Sequence, residues 1–161
     1  MPVKPNYNRM LALIDEVFAT RNDPDQIQVT PKQMKKLQEL HHNCLCERSD
    51  ENGPLIWLLV IPTTSEIMNS FLSHQISEKQ LLENTPSGVP YNALYLCSVT
   101  TLPEASGRGS TFELCMQTID EIIKTHPLEF LFVWPFTKAG EALANKIANA
   151  SGLKLLKKTN N

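Results

Sequence analysis

The chain has 161 residues, of which 42% are apolar and 20% charged, and it carries a formal charge of −2. That balance excludes a disordered chain and leaves no global basic field for nucleic acid or acidic membranes. No apolar run reaches the roughly 18 residues that span a bilayer, and the opening Met1, Pro2, Val3, Lys4 and Pro5 offer no signal-peptide core. A single cytoplasmic domain over residues 1–161, large enough to bury its own core, is the expectation.

The first helix is expected over residues 8–20, with Met10, Leu13, Ile14, Val17 and Phe18 on one face. Asn22, Asp23, Pro24 and Asp25 form a turn cluster. Thr30, Pro31 and Gln33 then spell a capped helix start, with Val29 and Met34 as its hydrophobic staple. That helix fades near His42. His41, His42, Cys44 and Cys46 are zinc-ligand types, but no second pair nearby completes a tetrahedral site, so the run reads as a helix end without metal.

Residues 50–53 make a polar turn, and residues 54–61 form a strand apolar on both faces, ended by Pro62. Thr63 with Glu66 reads as a capping box opening a helix through Phe71 and Leu72. Ser77 with Gln80 opens another, stapled by Ile76 against Leu81. Together these two helices make an insertion at about 63–84, whose apolar residues offer a homodimer contact.

Residues 93–102 form a second buried strand, and residues 128–134 a third. Between them Phe112, Cys115, Met116, Ile119, Ile122 and Ile123 recur at helical spacing, and His126 with Pro127 stops that helix. This is a βαβ unit. Its first connection holds Ser106, Gly107, Arg108, Gly109, Ser110 and Thr111. Such a turn leaves backbone N–H groups unpaired at the positive end of a helix, while the glycines clear side chains and Arg108 adds charge. A phosphate-bearing ligand fits that chemistry. The last helix buries Ala139, Ala142, Leu143, Ile147 and Ala150, stops at Ser151 and Gly152, and leads to a closing strand over residues 153–157. Cys97 and Cys115 read as small hydrophobes, and Trp57 and Trp134 as core residues.

Residues 94–155 resemble the acetyl-coenzyme A binding half of the GNAT N-acetyltransferase superfamily. Thr101, Leu102, Pro103 and Glu104 match its strand end and Gly107, Arg108 and Gly109 the centre of its turn, while Leu153 follows Gly152 where the family prefers phenylalanine. The resemblance implies an α/β, GNAT-like (acyl-CoA N-acyltransferase) fold, with a mixed central sheet flanked by helices. It also implies acetyl-CoA as cosubstrate and a small-molecule or peptide amine as acceptor. The pyrophosphate would rest on the turn from Ser106 through Gly107, Arg108, Gly109 and Ser110 to Thr111, and the pantetheine would pair with the backbone of Val99, Thr100 and Thr101.

The departures are specific. Ser106 stands where the family carries Arg or Gln, Thr111 where it carries a small residue, and Ala148 where it often carries a catalytic tyrosine. A non-catalytic module that binds acyl-CoA or a protein partner is therefore the alternative. No residue identifies itself as the base. Glu66, His74, Glu78 and Ser98 are candidates that read equally as solvated or structural residues, and Glu104 lies at the pyrophosphate end. Walker A, dinucleotide and nucleophile-elbow patterns are all absent.

Overall fold

A strand of 11 residues, Gly53–Thr63, buries side chains on both of its faces and organises the elements around it. In chain order the elements are α1 (Pro5–Arg21), α2 (Pro31–Leu40), β1 (Leu45–Asp50), β2 (Gly53–Thr63), α3 (Ser65–Leu72) and α4 (Glu78–Asn84). There follow β3 (Ala93–Thr101), a 3-10 turn (Pro103–Ala105), α5 (Ser110–Ile123), β4 (Phe130–Val133), α6 (Lys138–Ser151) and β5 (Lys154–Lys157). This computed structural model describes residues 4–21, 30–135 and 137–159, with the side chains of residues 14–21 left out. The expected turn at Asn22, Asp23, Pro24 and Asp25, the staple residue Val29, and the inner positions Ile14, Val17 and Phe18 lie outside the described residues.

The five strands make one mixed sheet in the order β1-β2-β3-β4-β5. β1, β2 and β3 pair antiparallel, and β3, β4 and β5 pair parallel. Parallel neighbours need a crossover, which α5 and α6 supply. The two-residue period of the strands sorts side chains into two cores. Ile56, Leu58, Val60, Leu94, Leu96, Leu131 and Val133 face one side with Leu114, Ile119 and Ile122 of α5 and Ala144 and Ile147 of α6. Leu59, Ile61, Ala93, Tyr95 and Phe132 face the other, with Leu37 of α2, Met68 and Phe71 of α3, and Leu81 and Leu82 of α4. The result is an α/β architecture with helices on both faces of the sheet.

Local signals set several of these boundaries. Thr30 accepts from the Gln33 N–H while the Gln33 side chain accepts from the Thr30 N–H, and Ser77 and Gln80 repeat the arrangement. Gly152 stops α6 at φ 78°, in the left-handed region that glycine tolerates.

Four expectations change. β1 appears where only a helix end and a polar turn were expected, and Pro62 lies inside β2 rather than ending it. The N-cap of α3 is Thr64, whose side chain accepts from the Ile67 N–H. Thr63 is instead fully buried, its hydroxyl 2.7 Å from that of Thr85. On α6 the expected inner positions Ala139, Ala142 and Ala150 are exposed, and Ala144 and Ala148 are buried instead.

Candidate functional site

β3 delivers the chain to the turn, and Leu102 fixes its exit by donating its N–H to the Leu55 carbonyl. The 3-10 turn closes with the Ser106 N–H donating to the Pro103 carbonyl, so that amide is already used within the protein. The next residues differ. Gly107 and Gly109 hold φ 77° and 78°, where a side chain is strained, and a Cβ on either would meet nothing within 4 Å. Gly109 is the N-cap of α5 and contributes no side-chain cap. Among the described residues, none of the backbone N–H groups of residues 107–112 finds a protein acceptor. Residues 106–109 are exposed. The corner is open, and its donors are unspent.

Its electrostatics favour an anion. A 14-residue helix places the positive end of its dipole there, and Arg108 is exposed beside it. Lys146, reaching from α6, lies 4.4 Å from the centroid of the Phe112 ring in the first turn of α5. Glu104 would oppose an anion, but Arg9 of α1 clamps it with two bonds of 2.6 and 2.7 Å. That guanidinium holds the Glu104 carboxyl down at about 2. Thr111 turns its hydroxyl to Thr101 at 3.0 Å, tying the helix start to the strand end, whereas Ser110 is half-buried. Periodicity gave no hint of Arg9 or Lys146, because both arrive from elements distant in sequence.

The strand beside the turn is open on one edge. β3 pairs with β4 only from Ala93 to Leu96, and Val133 is the last partner. Val99, Thr100 and Thr101 pair with Leu58, Trp57 and Ile56 of β2 on their other edge. Beyond Leu96 the β3–β4 ladder ends, so Val99, Thr100 and Thr101 have no strand partner on that edge among the described residues. A β-bulge falls at the same place. Leu59 pairs with Ser98 and Val60 with Leu96, so Cys97 is the extra residue. The 3-10 turn Pro103–Ala105 separates this strand end from the glycine turn.

The candidates for proton transfer separate clearly. Glu66 and His74 are exposed, and His74 adopts φ 64° after α3. Ser98 pairs with Leu59 and is half-buried. Glu78 corrects the expectation of a solvated residue: it is 1% exposed, and the Tyr95 hydroxyl donates to its Oε2 at 2.6 Å. Ala148 is buried in the α5–α6 core.

At the other end of α5, Asn43, Cys46, Leu114, Gln117, Thr118, Asp120, Glu121 and Lys124 line a cleft of about 540 Å³ that shares no residue with the turn. Among the described residues, Asn43 Oδ1 is buried there without a partner. Nearby, His41 Nδ1 accepts from the Asn43 N–H and His126 Nδ1 from the Tyr91 N–H, with the two rings 6.0 Å apart. Both bonds require neutral imidazoles, and desolvation lowers both pKa values; His42 and His126 lower that of His41 further against an opposing Glu121. Burial pushes the Cys44 and Cys115 thiols up to about 12, so neither is a ready thiolate.

No helix among the described residues is long and apolar enough to cross a membrane. Comparison with protein-family models, curated proteins and solved structures finds no match to this chain.

Proposed function

We propose that the chain is an acyl-coenzyme A binding protein that transfers an acetyl group from acetyl-CoA to a primary or secondary amine. One observation carries this reading: the N–H groups of residues 107–112, without a protein acceptor among the described residues, come one 3-10 turn after a strand whose edge at Val99, Thr100 and Thr101 has no strand partner among them. A diphosphate suits the first feature and an extended amide-bearing arm the second. Arg108, Lys146 and the helix dipole supply the positive field, and the Arg9–Glu104 clamp removes a nearby negative charge. Acetyl-CoA would bring the reactive thioester. The protein's contribution is to bind and orient it, with backbone N–H groups of the parted strand available to a developing oxyanion.

Acetyl-CoA is expected to raise the melting temperature, since a ligand of the folded state stabilises it by mass action. Gly109→Glu is expected to abolish that shift, because it places a side chain at positive φ and a negative charge among the phosphate donors. Thiol release from acetyl-CoA in the presence of an amine panel then tests transfer. Absence of a thermal shift with the native protein at millimolar ligand would refute the reading.

A second reading is a non-catalytic module that binds acyl-CoA or a protein partner. Ala148 favours it, because the GNAT resemblance places a catalytic phenol there and this chain carries a buried methyl. Ligand-induced stabilisation without turnover across the amine panel would select it.

A further inference from the structure

Two backbone amides next to the sheet are held by histidine rings rather than by carbonyls. His41 caps α2, its N–H donating to the Leu37 carbonyl at 3.1 Å, and its Nδ1 accepts from the Asn43 N–H at 3.0 Å, just ahead of β1. His126 follows α5, its N–H donating to the Ile122 carbonyl at 2.9 Å, and its Nδ1 accepts from the Tyr91 N–H at 3.3 Å, just ahead of β3. Each ring thus ties a helix end to the start of a strand. The two ties also meet. The His41 ring lies 6.0 Å from that of His126 and stacks at 4.4 Å on that of His42, while Tyr91 packs on His126 at 4.7 Å.

We propose that His41, His42 and His126 form an acid-sensitive latch, whose protonation releases the α2–β1 and α4–β3 connections while the sheet stays folded. A ring nitrogen that accepts a hydrogen bond carries no proton, and the proton an imidazole gains on acidification goes to that nitrogen. The Asn43 and Tyr91 amides then face a donor in place of an acceptor. Charge on three neighbouring rings adds mutual repulsion. The other groups facing them do little to offset it. Glu121 of α5 attracts the charged rings, but Lys124 already binds it at 2.6 Å, and Asp120 acts on Lys124. Burial keeps the Cys44 thiol and the Tyr91 phenol neutral. Burial also disfavours the charged form of His41 and of His126, so acid favours the open connections. The release has a defined limit on each side. The Val60 N–H holds the Cys44 carbonyl at 2.9 Å, and the Glu129 and Phe130 N–H groups hold that of Asn92, so β1 and β3 stay paired beyond the freed turns. Asn43 also lines the cleft beside α5, so its release frees one wall of that cleft.

The test is amide hydrogen exchange of the native chain without coenzyme, corrected for intrinsic rates. Between pH 7.5 and 5, protection of the Asn43 and Tyr91 amides is expected to fall by about tenfold or more, because proton uptake favours the open form. At each pH it is expected to stay below that of Leu94 and Leu131, fully buried in β3 and β4, and to respond little to dilute urea, as a local opening does. Imidazole nitrogen shifts are expected to show Nδ1 of His41 and His126 gaining its proton over the same range. His41→Gln with His126→Gln supplies carbonyl acceptors that do not titrate, and is expected to hold both amides at one level of protection across the range. Unchanged protection at Asn43 and Tyr91 overturns the proposal. So does exchange that matches Leu94 and Leu131 in rate and urea dependence, which is global unfolding, and so does an acid-dependent loss that persists in the folded double variant. If that variant does not fold, the native protein decides: amide release and Nδ1 protonation with different midpoints overturn the latch.

Discussion

Arg9 and Glu104 form the clearest charged pair in the structure, and their position rather than their strength gives them meaning. The pair offsets a carboxylate charge beside the glycine turn proposed to hold an anion. An NMR titration is expected to place the Glu104 midpoint at about 2, and Arg9→Ala should return it toward the ordinary carboxylate range. His41 and His126 titrate in a separate window. Their folded pKa values lie below the ordinary 6.5, so the unfolded chain binds more protons there. Stability conferred by the neutral rings is complete above about pH 6.5 and is lost as pH falls through the lowered folded values. The denaturation midpoint is thus expected to drop between pH 7 and 5, and the double substitution His41→Asn, His126→Asn should flatten that slope. Tyr95→Phe removes a buried bond to a carboxylate and is expected to cost about 1.5–3 kcal/mol, read by denaturant unfolding.

Capping shows how far local chemistry reaches among the helices. Thr30→Ala is expected to cost about 1 kcal/mol, because the side chain satisfies an orphan N–H at the start of α2. That cap, the Ser77 box and the Gly152 stop were legible in the sequence because each depends on residues three or four apart. β1 was not. Leu45, Cys46, Glu47, Arg48, Ser49 and Asp50 show no apolar alternation, and the open edge of β2 imposes the strand on them. The start of α3 shifted by one residue for a similar reason. Thr63 and Thr64 are equivalent caps locally, but the buried hydroxyl contact with Thr85 draws Thr63 into the strand. The glycine turn at the start of α5 was visible because two glycines flank an arginine between a breaker-free strand and an amphipathic helix. The bulge at Cys97 left no local trace, since it is a register shift between β2 and β3.

Taken as a molecule, the sheet divides the labour between its two faces. α5 and α6 cover one face and present the turn, Arg108 and Lys146 at the strand ends. α2, α3 and α4 cover the other. The most direct measurement is a backbone amide NMR titration with coenzyme A. The expected result is saturable shifts concentrated at Gly107, Arg108, Gly109, Ser110 and Thr111, extending along residues 97–101. Unmoved amides at that corner under millimolar ligand, or shifts confined to the Asn43–Lys124 cleft, would contradict it.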